Sequence, residues 1–587
     1  MQRALGRFVV RHYTLCVVLV LGVMACNVFL RLATNRIDDS DEARYGVSAF
    51  EMLRSKSLLV TTYAERPEYW NLKPPLGYWL IASSYSLFGC SAFAMRLPSA
   101  LFALAVVAAT MRFCRIWSNR RLAIAAGLIL ATSFGFLSHH GARSGDLDAC
   151  LTFTLLLMAI QLPRLGHSPL RVLTLGPILG CGFLLKSFAI LPMVAVAAAY
   201  GVATGSWRKQ KLGPCLLSLG ALLAMVATWV GARSHADRSF YFVRRMVLED
   251  LFARSTSLID KGTSSPLAYV TGLADRFAPW PFLILAAAVL TWHERRRRAA
   301  ARGQDLAASA PRPQDLAASI PSLRRDLAGG ASLPQNVAGS APQRHRPWFR
   351  REGVLPLLGL WIGIPLMLFS LARTQHHWYL DPIYPACAML AAPAILYLAG
   401  RAPRRFQAAA LIAFVVLPLA VCEARVILRV IGRDRMPASQ RFLYALRKHS
   451  HGRCEEVRTT FPLLHSERFI LEVADGFRVV EDPFPRRPAA RPMNAHLPAP
   501  SPGTCLLMTK RQLRPRWRAR HGLDPAALAS GWMLEKENAT YALFSRNPAA
   551  GEPAAPAAGP LAESASPSSH PSALPAAKLE PGDREPG

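Results

Sequence analysis

The sequence predicts an all-α polytopic membrane protein with a small C-terminal α/β domain, and three observations lead to this fold class. First, 52% of the 587 residues are hydrophobic and the mean hydropathy is +0.20. Second, ten separate apolar runs approach the ~20 residues that a helix needs to cross a bilayer. Third, short apolar runs alternate with helical patterns after the last long run. The ten runs cover residues 15–30, 97–110, 122–137, 170–185, 189–203, 212–232, 277–292, 354–371, 383–399 and 408–421.

The distribution of basic residues predicts the orientation of these runs. Unpaired backbone groups are costly in hydrocarbon, so the runs must be helices that bond internally. Arg3, Arg7 and Arg11 precede the first run, which predicts a cytoplasmic N-terminus. Residues 74–89 make a poor span because they contain the pairs Pro74-Pro75 and Ser83-Ser84, so we expect an interfacial helix there. The later basic loops then all face the cytoplasm, which predicts about 11 to 13 spans and a C-terminus outside the cytoplasm.

The chain divides into regions of different composition. Residues 1–428 form the predicted transmembrane domain, with a charged outer loop at 33–96 and a basic cytoplasmic insertion at 294–351. The insertion is predicted to be disordered, because its Ala/Ser/Pro/Arg composition cannot form a core. Residues 429–547 are predicted to form an α/β domain, with strands at 469–473, 505–508 and 541–544 and a helical stretch at 438–448. The Pro/Ala-rich tail, 548–587, is predicted to be disordered.

Charge and cysteine content exclude some classes of function. The net charge of +32 does not indicate nucleic-acid binding, because the basic residues cluster in short loops, where topology requires them. The eleven cysteines show no CxxC spacing typical of a metal site, and most lie inside apolar runs. Cys454 and Cys505 lie in a polar region, and an oxidising compartment would allow them to pair. Their separation in space is open at this stage.

Charged residues gather on the side of the membrane that is predicted to be outside. The first outer loop contains Asp38, Asp39, Asp41, Glu42, Arg44 and Lys73, and later outer segments contain Asp146, Asp148, Arg254 and Lys261. Carboxylates can accept a proton from an acceptor hydroxyl, and neighbouring cations can neutralise a leaving phosphate. Asp148 directly precedes an apolar run, and ionisable groups at membrane depth are usually functional. These residues therefore predict an active site at the outer face.

Several motifs in this outer region resemble one known family. They are Asp41-Glu-Ala-Arg-Tyr45, Asn71-Leu-Lys-Pro-Pro-Leu-Gly-Tyr-Trp79, Asp148-Ala-Cys-Leu-Thr-Phe, Leu185-Lys-Ser, Glu249-Asp-Leu-Phe-Ala-Arg254, Pro279-Trp-Pro and Phe369-Ser-Leu-Ala-Arg-Thr-Gln-His-His-Trp-Tyr-Leu-Asp-Pro382. In this order they resemble the 4-amino-4-deoxy-L-arabinose lipid A transferases. Those enzymes belong to the protein O-mannosyltransferase-like superfamily of GT-C glycosyltransferases.

The resemblance implies a glycosyltransferase that uses a polyprenyl-phosphate-linked sugar donor at the periplasmic face of a bacterial inner membrane. The sugar would be 4-amino-4-deoxy-L-arabinose or another sugar. It implies catalytic roles for Asp41 and Asp148 and a supporting role for Glu42 and Tyr379. The groups implied to bind the donor phosphate are Arg44, Tyr45, Lys73 and Arg254. A catalytic carboxylate at the membrane surface is expected to have a raised pKa, because partial desolvation disfavours its charged form. The implied partners are the donor, a lipid or glycan acceptor and the bilayer, with no nucleic acid.

The chain departs from the aminoarabinose transferases at several positions. Relatives tend to carry Glu before Lys-Pro-Pro and Glu-His in the later loop, whereas this chain has Leu72 and Glu249-Asp250. Those positions are associated with a divalent metal, so no cofactor is certain, although a metal remains possible with Asp250 as a ligand. Gln375 stands where relatives often have Lys, which leaves open an acceptor other than lipid A. The pairs His139-His140 and His376-His377 are predicted to be structural, because adjacent helical residues diverge by about 100°.

Other functions would produce different patterns. A transporter or lipid flippase often shows internal repeats and charges at the middle of broken helices. This chain shows no half-to-half repeat, and its charges lie in outer loops. An assembly or scaffold protein would leave the acidic and basic outer loop unexplained. The sequence therefore favours a glycosyltransferase, without identifying the sugar or choosing among lipid A, another glycolipid, a glycan or a protein as acceptor.

Overall fold

The protein is mostly helical, with a small sheet in its C-terminal part. The computed structural model describes residues 2–68, 71–138, 140–237, 240–248, 265, 267–309, 353–432, 436–482, 497, 501–521 and 523–547. The N-terminal helices are α1 (Gln2–Arg11), α2 (Tyr13–Phe29), α3 (Asp41–Ser55), α4 (Leu76–Phe88), α5 (Ala92–Trp117), α6 (Arg120–Ala131), α7 (Phe134–Leu137) and α8 (Asp148–Gln161). The following helices are α9 (Leu175–Lys186), α10 (Leu191–Thr204), α11 (Leu212–Asp237), α12 (Tyr241–Arg245), α13 (Ala268–Arg276), α14 (Trp280–Ser309), α15 (Val354–Leu371), α16 (Tyr384–Arg401), α17 (Gln407–Leu411) and α18 (Leu417–Val426).

All ten predicted apolar runs form helical segments in this structure. Seven helical segments of the described residues are long and apolar enough to cross a membrane, and the bent pair of α13 and α14 makes an eighth candidate. Helix α2 is apolar but shorter. The predicted number of 11 to 13 spans stays a prediction, because α4 and α6 contain only 13 and 12 residues. A helix of 13 residues extends about 20 Å, less than the ~30 Å hydrocarbon core.

Local sequence explains where the central helices begin. Helix α5 starts after Ser91, whose side chain accepts a hydrogen bond from the backbone N–H of Ala94. Helix α6 starts after Asn119, which caps Leu122 in the same way. Such caps satisfy N–H groups that the helix itself leaves unpaired. Helices α2, α5, α6, α8 and α16 pack together into the main hydrophobic core.

Helix α14 continues through Ser309, which corrects part of one prediction. Residues 294–309, at the start of the predicted disordered insertion, are helical, because the arginine-rich segment continues the apolar helix without a Gly or Pro at the boundary. The rest of the insertion, residues 310–352, lies outside the described residues. The same holds for the predicted disordered tail, residues 548–587.

The C-terminal part contains a five-stranded sheet. Its strands are β3 (Glu456–Thr459), β4 (Arg478–Glu481), β5 (Thr504–Thr509), β6 (Trp532–Glu537) and β7 (Tyr541–Arg546); the short strands β1 (Thr62–Tyr63) and β2 (Arg66–Pro67) form a separate hairpin. The sheet order is β4-β3-β5-β7-β6, parallel among the first three strands and antiparallel among the last three. Five short helices accompany these strands: α19 (Ala438–Tyr444), α20 (Leu446–His449), α21 (His465–Arg468), α22 (Pro515–His521) and α23 (Pro525–Gly531).

The structure confirms two of the three predicted strands, β5 and β7, and the predicted helical stretch at 438–448. The third prediction was wrong, because Phe469–Ala474 forms a π-helical turn. This turn packs against α3 at Gly46, where an added Cβ would lie 2.6 Å from the Phe469 ring and 2.5 Å from the Met95 sulfur. The apolar run therefore fills an interface between the C-terminal part and the outer loop.

Hydrogen bonds reinforce the same interface. Gln440 exchanges two hydrogen bonds with the backbone of Ile37, at 3.0 and 2.8 Å. The backbone N–H of Ser466 donates to an Asp39 oxygen at 2.8 Å. The C-terminal part thus holds the segment immediately before α3, which begins at Asp41.

Candidate active site

Asp41 is the first residue of α3 and forms an ion pair with Lys73. The Lys73 ammonium lies 2.9 Å from the Asp41 Oδ2 atom, and the two side chains are 30% and 43% exposed. Lys73 holds the pKa of Asp41 below its ordinary value, overcoming the opposing effect of burial, and the charges of Lys186 and Arg44 act in the same direction. The expected rise of this pKa was therefore wrong. Asp41 therefore stays ionised at neutral pH, and its carboxylate can attract and orient a bound group that donates a hydrogen bond.

Tyr45 lies one helical turn after Asp41, beneath the same ammonium group. Lys73 Nζ is 4.5 Å from the centre of the Tyr45 ring, a cation–π distance. The Tyr45 and Tyr78 rings are 4.8 Å apart. Tyr45 is buried, and its hydroxyl has no hydrogen-bond partner among the described residues. Burial raises the pKa of Tyr45, so this hydroxyl is a neutral hydrogen-bond donor available to a substrate.

The loop that carries Lys73 is fixed by a hydrogen-bond network. The Asn71 amide donates to Thr61 Oγ1 at 3.0 Å and to the Tyr78 hydroxyl at 2.9 Å, while its oxygen accepts from the Lys73 backbone N–H at 3.1 Å. Glu68 is buried and forms an ion pair with Arg44 at 3.4 Å. These contacts hold Lys73 and Arg44 on the same side as Asp41.

The same loop does not fit a divalent metal. Leu72, at the position where relatives tend to carry Glu, is buried and apolar. The Asn71 amide nitrogen faces three oxygen atoms and therefore acts as a donor. No group of three His, Cys, Asp or Glu side chains among the described residues has metal-binding geometry. Asp250, the remaining candidate ligand, lies outside the described residues.

Asp148 begins α8 and is bound by Lys186, the last residue of α9. The Lys186 ammonium lies 2.7 Å from both Asp148 oxygens. Lys186 had no predicted role, although the Leu185-Lys-Ser motif contains it. Helix α9 ends there because Ser187 adopts a positive φ of 51°, and the chain then turns into Ser187–Ile190. A lone lysine between the two apolar runs 170–185 and 189–203 was the available signal, since ionisable groups at membrane depth are usually functional.

The two ion pairs belong to one electrostatic cluster. The charges of Lys186, Asp41, Asp146 and Asp148 all act on the Tyr45 hydroxyl. Lys186 also contributes to the lowered pKa of Asp41. The structure therefore brings Asp41, Lys73, Asp148 and Lys186 together around Tyr45. The catalytic and phosphate-binding roles that the sequence predicts for Asp41, Tyr45, Lys73 and Asp148 stay predictions.

A further buried acid, Asp146, adjoins this cluster. Asp146 accepts a hydrogen bond from Ser144 and lies 2.8 Å from His140 Nδ1. Burial lowers the pKa of His140, but the charge of Asp146 and its hydrogen bond outweigh burial, so the pKa is raised overall. The His140 ring stacks on Trp378 at 3.9 Å. His140 thus pairs with Asp146 and stacks on Trp378. His139 lies outside the described residues, and the structural role predicted for the pair stays a prediction.

Glu42 holds the outer loop against α5. It accepts two hydrogen bonds from the buried Arg96 guanidinium, at 2.6 and 2.8 Å, and one from the Gly145 backbone N–H at 3.0 Å. Bidentate pairs of this kind fix geometry as well as charge. Glu42 therefore has a positioning role, because it ties α3 to the segment that leads into Asp148.

Two other residues with predicted roles, Tyr379 and Arg254, are not part of this cluster as described. Tyr379 packs its ring against Phe369 and His376, each with centroids 5.4 Å away, on the segment that precedes α16. Arg254, predicted to bind the donor phosphate, lies outside the described residues. The predictions for both residues stay predictions.

Cys454 and Cys505 form a disulfide, with Cα atoms 5.6 Å apart. The bond joins a residue two positions before β3 to the second residue of β5, across two neighbouring parallel strands. Disulfides persist mainly in oxidising compartments. This pairing, which the sequence left open, fits a C-terminal part that lies outside the cytoplasm.

Comparison with known proteins reveals similarity to two groups of transferases. Residues 72–230 match the family model described as dolichyl-phosphate-mannose-protein mannosyltransferase. An undecaprenyl phosphate-alpha-4-amino-4-deoxy-L-arabinose arabinosyl transferase from Pseudomonas aeruginosa is 33% identical over 234 residues, which cover 38% of this chain and 42% of that protein. A second transferase of this name, from Pseudomonas fluorescens, is 26% identical over 385 residues, covering 63% of this chain and 58% of the relative. The matched region thus spans less than two thirds of either relative.

Two solved structures have a similar fold over almost the whole chain. The crystal structure of ArnT from Cupriavidus metallidurans bound to undecaprenyl phosphate aligns with a TM-score of 0.58 at 17% identity, covering 92% of this chain and 99% of that one. The apo state of the same protein aligns with a TM-score of 0.56. In fold, and in sequence over part of its length, the chain is thus similar to GT-C glycosyltransferases of the aminoarabinose transferase and protein mannosyltransferase type, as its motifs predicted.

Proposed function

We propose that this protein is a membrane glycosyltransferase that moves a sugar from a polyprenyl-phosphate donor to an acceptor in the bacterial envelope. The observation that carries the proposal is the pair of Asp–Lys contacts, Asp41–Lys73 and Asp148–Lys186, coupled around the free hydroxyl of Tyr45. A phosphate leaving group needs fixed cations, and an incoming nucleophile needs an orienting acceptor. This cluster supplies both within one site.

In the proposed reaction, an acceptor oxygen attacks the anomeric carbon from the face opposite the polyprenyl phosphate. The bond between that carbon and the phosphate oxygen breaks, and its electron pair stays on the phosphate. Lys73, Lys186 and Arg44 stabilise this charge, with Arg254 predicted to assist. Fixed cations are worth more in a water-poor site than in bulk water, because the dielectric there is lower. Tyr45 can donate its hydroxyl hydrogen to the same phosphate.

Asp41 orients the acceptor in this reaction. Its lowered pKa makes it a weak base, so its main contribution is attraction and a hydrogen bond to the nucleophile. A phosphate acceptor can donate this hydrogen bond only while it carries one proton, because two fully ionised groups repel each other. A hydroxyl acceptor would transfer its proton to Asp41 or to the departing phosphate as the new bond forms. Both routes leave Asp41 ionised at the start of each turnover.

The proposed location is the bacterial inner membrane, with the site and the C-terminus in the periplasm and the N-terminus in the cytoplasm. Three arguments support this orientation: the basic loops that were predicted to be cytoplasmic, the Cys454–Cys505 disulfide, and the packing of the C-terminal part on the segment before Asp41. The relatives are named as transferases of an arabinose derivative from undecaprenyl phosphate, so we propose a donor of this kind. Lipid A is one proposed acceptor, and another envelope glycan is the alternative.

Mass spectrometry of lipid A and envelope glycans, with and without the gene, tests this function. One envelope component should lose the mass of a single pentose or hexose residue in the deletion strain, and the wild-type gene should restore it. Restoration should fail with an Asp41→Asn gene expressed at the same level. Identical envelopes in the presence and absence of the gene would contradict the proposed function.

A further inference from the structure

Arg233 is a buried arginine near the end of α11, and the proposed reaction does not use it. Its Nε atom lies 2.6 Å from the Asp237 Oδ2 atom, and the two side chains are only 1% and 5% exposed. Its guanidinium also lies over the Phe242 ring, 5.5 Å from the ring centre, which is a cation–π distance. A buried charge is costly unless it is paired, so Asp237 offsets the cost of burying this arginine.

The other two nitrogen atoms of this guanidinium hold the loop that carries Lys73. They donate hydrogen bonds to the backbone oxygens of Leu59, at 3.2 Å, and Glu68, at 3.4 Å, on either side of the β1–β2 hairpin. The Glu68 backbone oxygen also accepts from the backbone N–H of Asn71 at 3.0 Å, and the Asn71 side chain accepts from the Lys73 N–H. Arg233 is thus connected to Lys73 through a continuous chain of hydrogen bonds.

Helix α11 is fixed in turn to α9, the helix that ends at Lys186. The backbone N–H of Gly176 in α9 donates to the Ser218 hydroxyl oxygen in α11 at 2.8 Å. Nearer to the site, the centres of the Phe183 and Trp229 rings lie 6.1 Å apart in an edge-to-face contact. Phe183 precedes Lys186 by about one helical turn. Helices α9 and α11 therefore form one packed unit up to the end that carries Lys186.

The two lysines of the proposed site thus lie on different elements that meet at Arg233. Lys186 belongs to the α9–α11 unit, whereas Lys73 belongs to the loop that Arg233 holds against this unit. A cation stabilises a leaving phosphate strongly only when it is already in place before the reaction. A displacement of about 1 Å can cost on the order of 100-fold in rate, so the contact between the loop and α11 matters for the chemistry.

We propose that Arg233 is a positioning residue, which holds the Lys73 loop against α11 so that Lys73 and Lys186 contact the donor phosphate together. The inference rests on the proposed function, because that function supplies the phosphate. Arg233 acts through Lys73 and does not bind the phosphate itself, since its three nitrogen atoms bind Asp237 and two backbone oxygens. A purely structural role would stabilise the end of α11 without any effect that depends on Lys73.

Hydrogen exchange in the purified full-length protein, measured by mass spectrometry, tests the contact between Arg233 and the loop. The variant Asp237→Asn/Arg233→Met, called the Arg233 variant below, removes both charges of the buried pair, which is often nearly neutral for stability. It also removes both hydrogen bonds to the loop. The backbone amides of Glu68, Asn71 and Lys73 should then exchange about tenfold faster, because local opening no longer breaks those bonds. Exchange at the wild-type rate would overturn the proposal.

Binding of polyprenyl phosphate without a sugar tests whether Arg233 acts through Lys73. Lys73→Met and the Arg233 variant should each weaken this binding by about tenfold, the usual effect of losing a hydrogen bond to a charged group. In a protein that already carries Lys73→Met, the Arg233 substitutions should weaken binding by less than about threefold, because the loop no longer carries an ammonium group. Independent residues have additive effects, so an equal factor with and without Lys73→Met would overturn the proposal.

The control for both measurements is Asp275→Asn/Arg425→Met. Arg425 also binds a carboxylate and a backbone oxygen, those of Asp275 at 3.0 and 2.6 Å, and its guanidinium lies 4.2 Å from the centre of the Phe134 ring. This variant should leave loop exchange and polyprenyl phosphate binding unchanged, and equal effects in the two variants would overturn the proposal. A wild-type protein that binds no polyprenyl phosphate would refute the proposed function and this inference with it. Normal wild-type binding with an equal factor in both backgrounds would refute this inference alone.

Discussion

Lys186 lies deep in the proposed site, and its replacement by methionine separates a catalytic role from a structural one. Its ammonium contacts both oxygens of Asp148, and the two side chains are only 19% and 6% exposed. Lys186→Met keeps the length of the side chain but leaves the Asp148 carboxylate buried without its partner. Breaking a buried ion pair in this way typically costs about 3–5 kcal/mol in the free energy of unfolding. We expect a loss of that size, with transfer lowered on the order of 100-fold or more.

The double variant Asp148→Asn/Lys186→Met separates the contribution of Lys186 to stability from its contribution to transfer. Replacing both members of a buried pair is often nearly neutral for stability, so the double variant should regain most of the lost free energy. It should not regain transfer, because the fixed cation that stabilises the leaving phosphate is still missing. Denaturant titration of the purified protein in detergent micelles measures stability, and release of polyprenyl phosphate measures transfer.

Lys510→Met is the matched control. Lys510 and Glu537 form an ion pair at 2.6 Å on the C-terminal sheet, but their side chains are 34% and 45% exposed. Such surface pairs contribute only about 0–1 kcal/mol. If Lys186→Met were no more costly than Lys510→Met, the Asp148–Lys186 pair would not be buried as described. If the double variant recovered full transfer, Lys186 would be structural and the proposed role would be refuted.

Three further predictions test metal dependence, protonation and topology. Transfer should survive strong chelation, because no group of three His, Cys, Asp or Glu side chains among the described residues could hold a metal ion. Complete inhibition by EDTA that added metal reverses would contradict this. Protonation of Asp41 should not reduce transfer between about pH 7 and pH 5, because Lys73 holds the pKa of Asp41 below its ordinary value near 4. If the transfer rate fell over that range, and fell equally in His140→Gln, this prediction would be contradicted. Single cysteines at Arg66 and Arg120 should react with an impermeant thiol reagent from opposite sides of the membrane; reaction from the same side would mean that α4 spans the bilayer.

The helical architecture was predictable from the sequence because hydrocarbon leaves few alternatives for an apolar run. Each run between residues 15 and 421 therefore appears as a helical segment. The run at 469–473 was misassigned for the opposite reason. A short apolar run outside the membrane suits a strand or a buried helical turn equally well, and only its packing against Gly46 and Met95 decides between them.

The candidate site was predictable as a set of residues but not as a set of contacts. Asp41, Tyr45, Lys73 and Asp148 were predicted from their motifs, and the structure brings them together. Lys186 is 38 positions from Asp148 along the chain, so no local pattern shows that they meet. The direction of the Asp41 pKa shift was predicted wrongly. The sequence pattern indicated burial, which raises this pKa, but it did not show that Lys73 lies beside Asp41 and lowers it.

Release of polyprenyl phosphate tests the central claim most directly. The purified full-length protein, given envelope lipids as acceptor and a synthetic polyprenyl-phosphate sugar, should release polyprenyl phosphate and transfer the sugar in equal amounts. Asp41→Asn should bind the donor and fold normally but lose transfer by on the order of 100-fold or more. Transfer above about a tenth of the wild-type rate in Asp41→Asn, or transport of the intact donor without any release, would contradict the account.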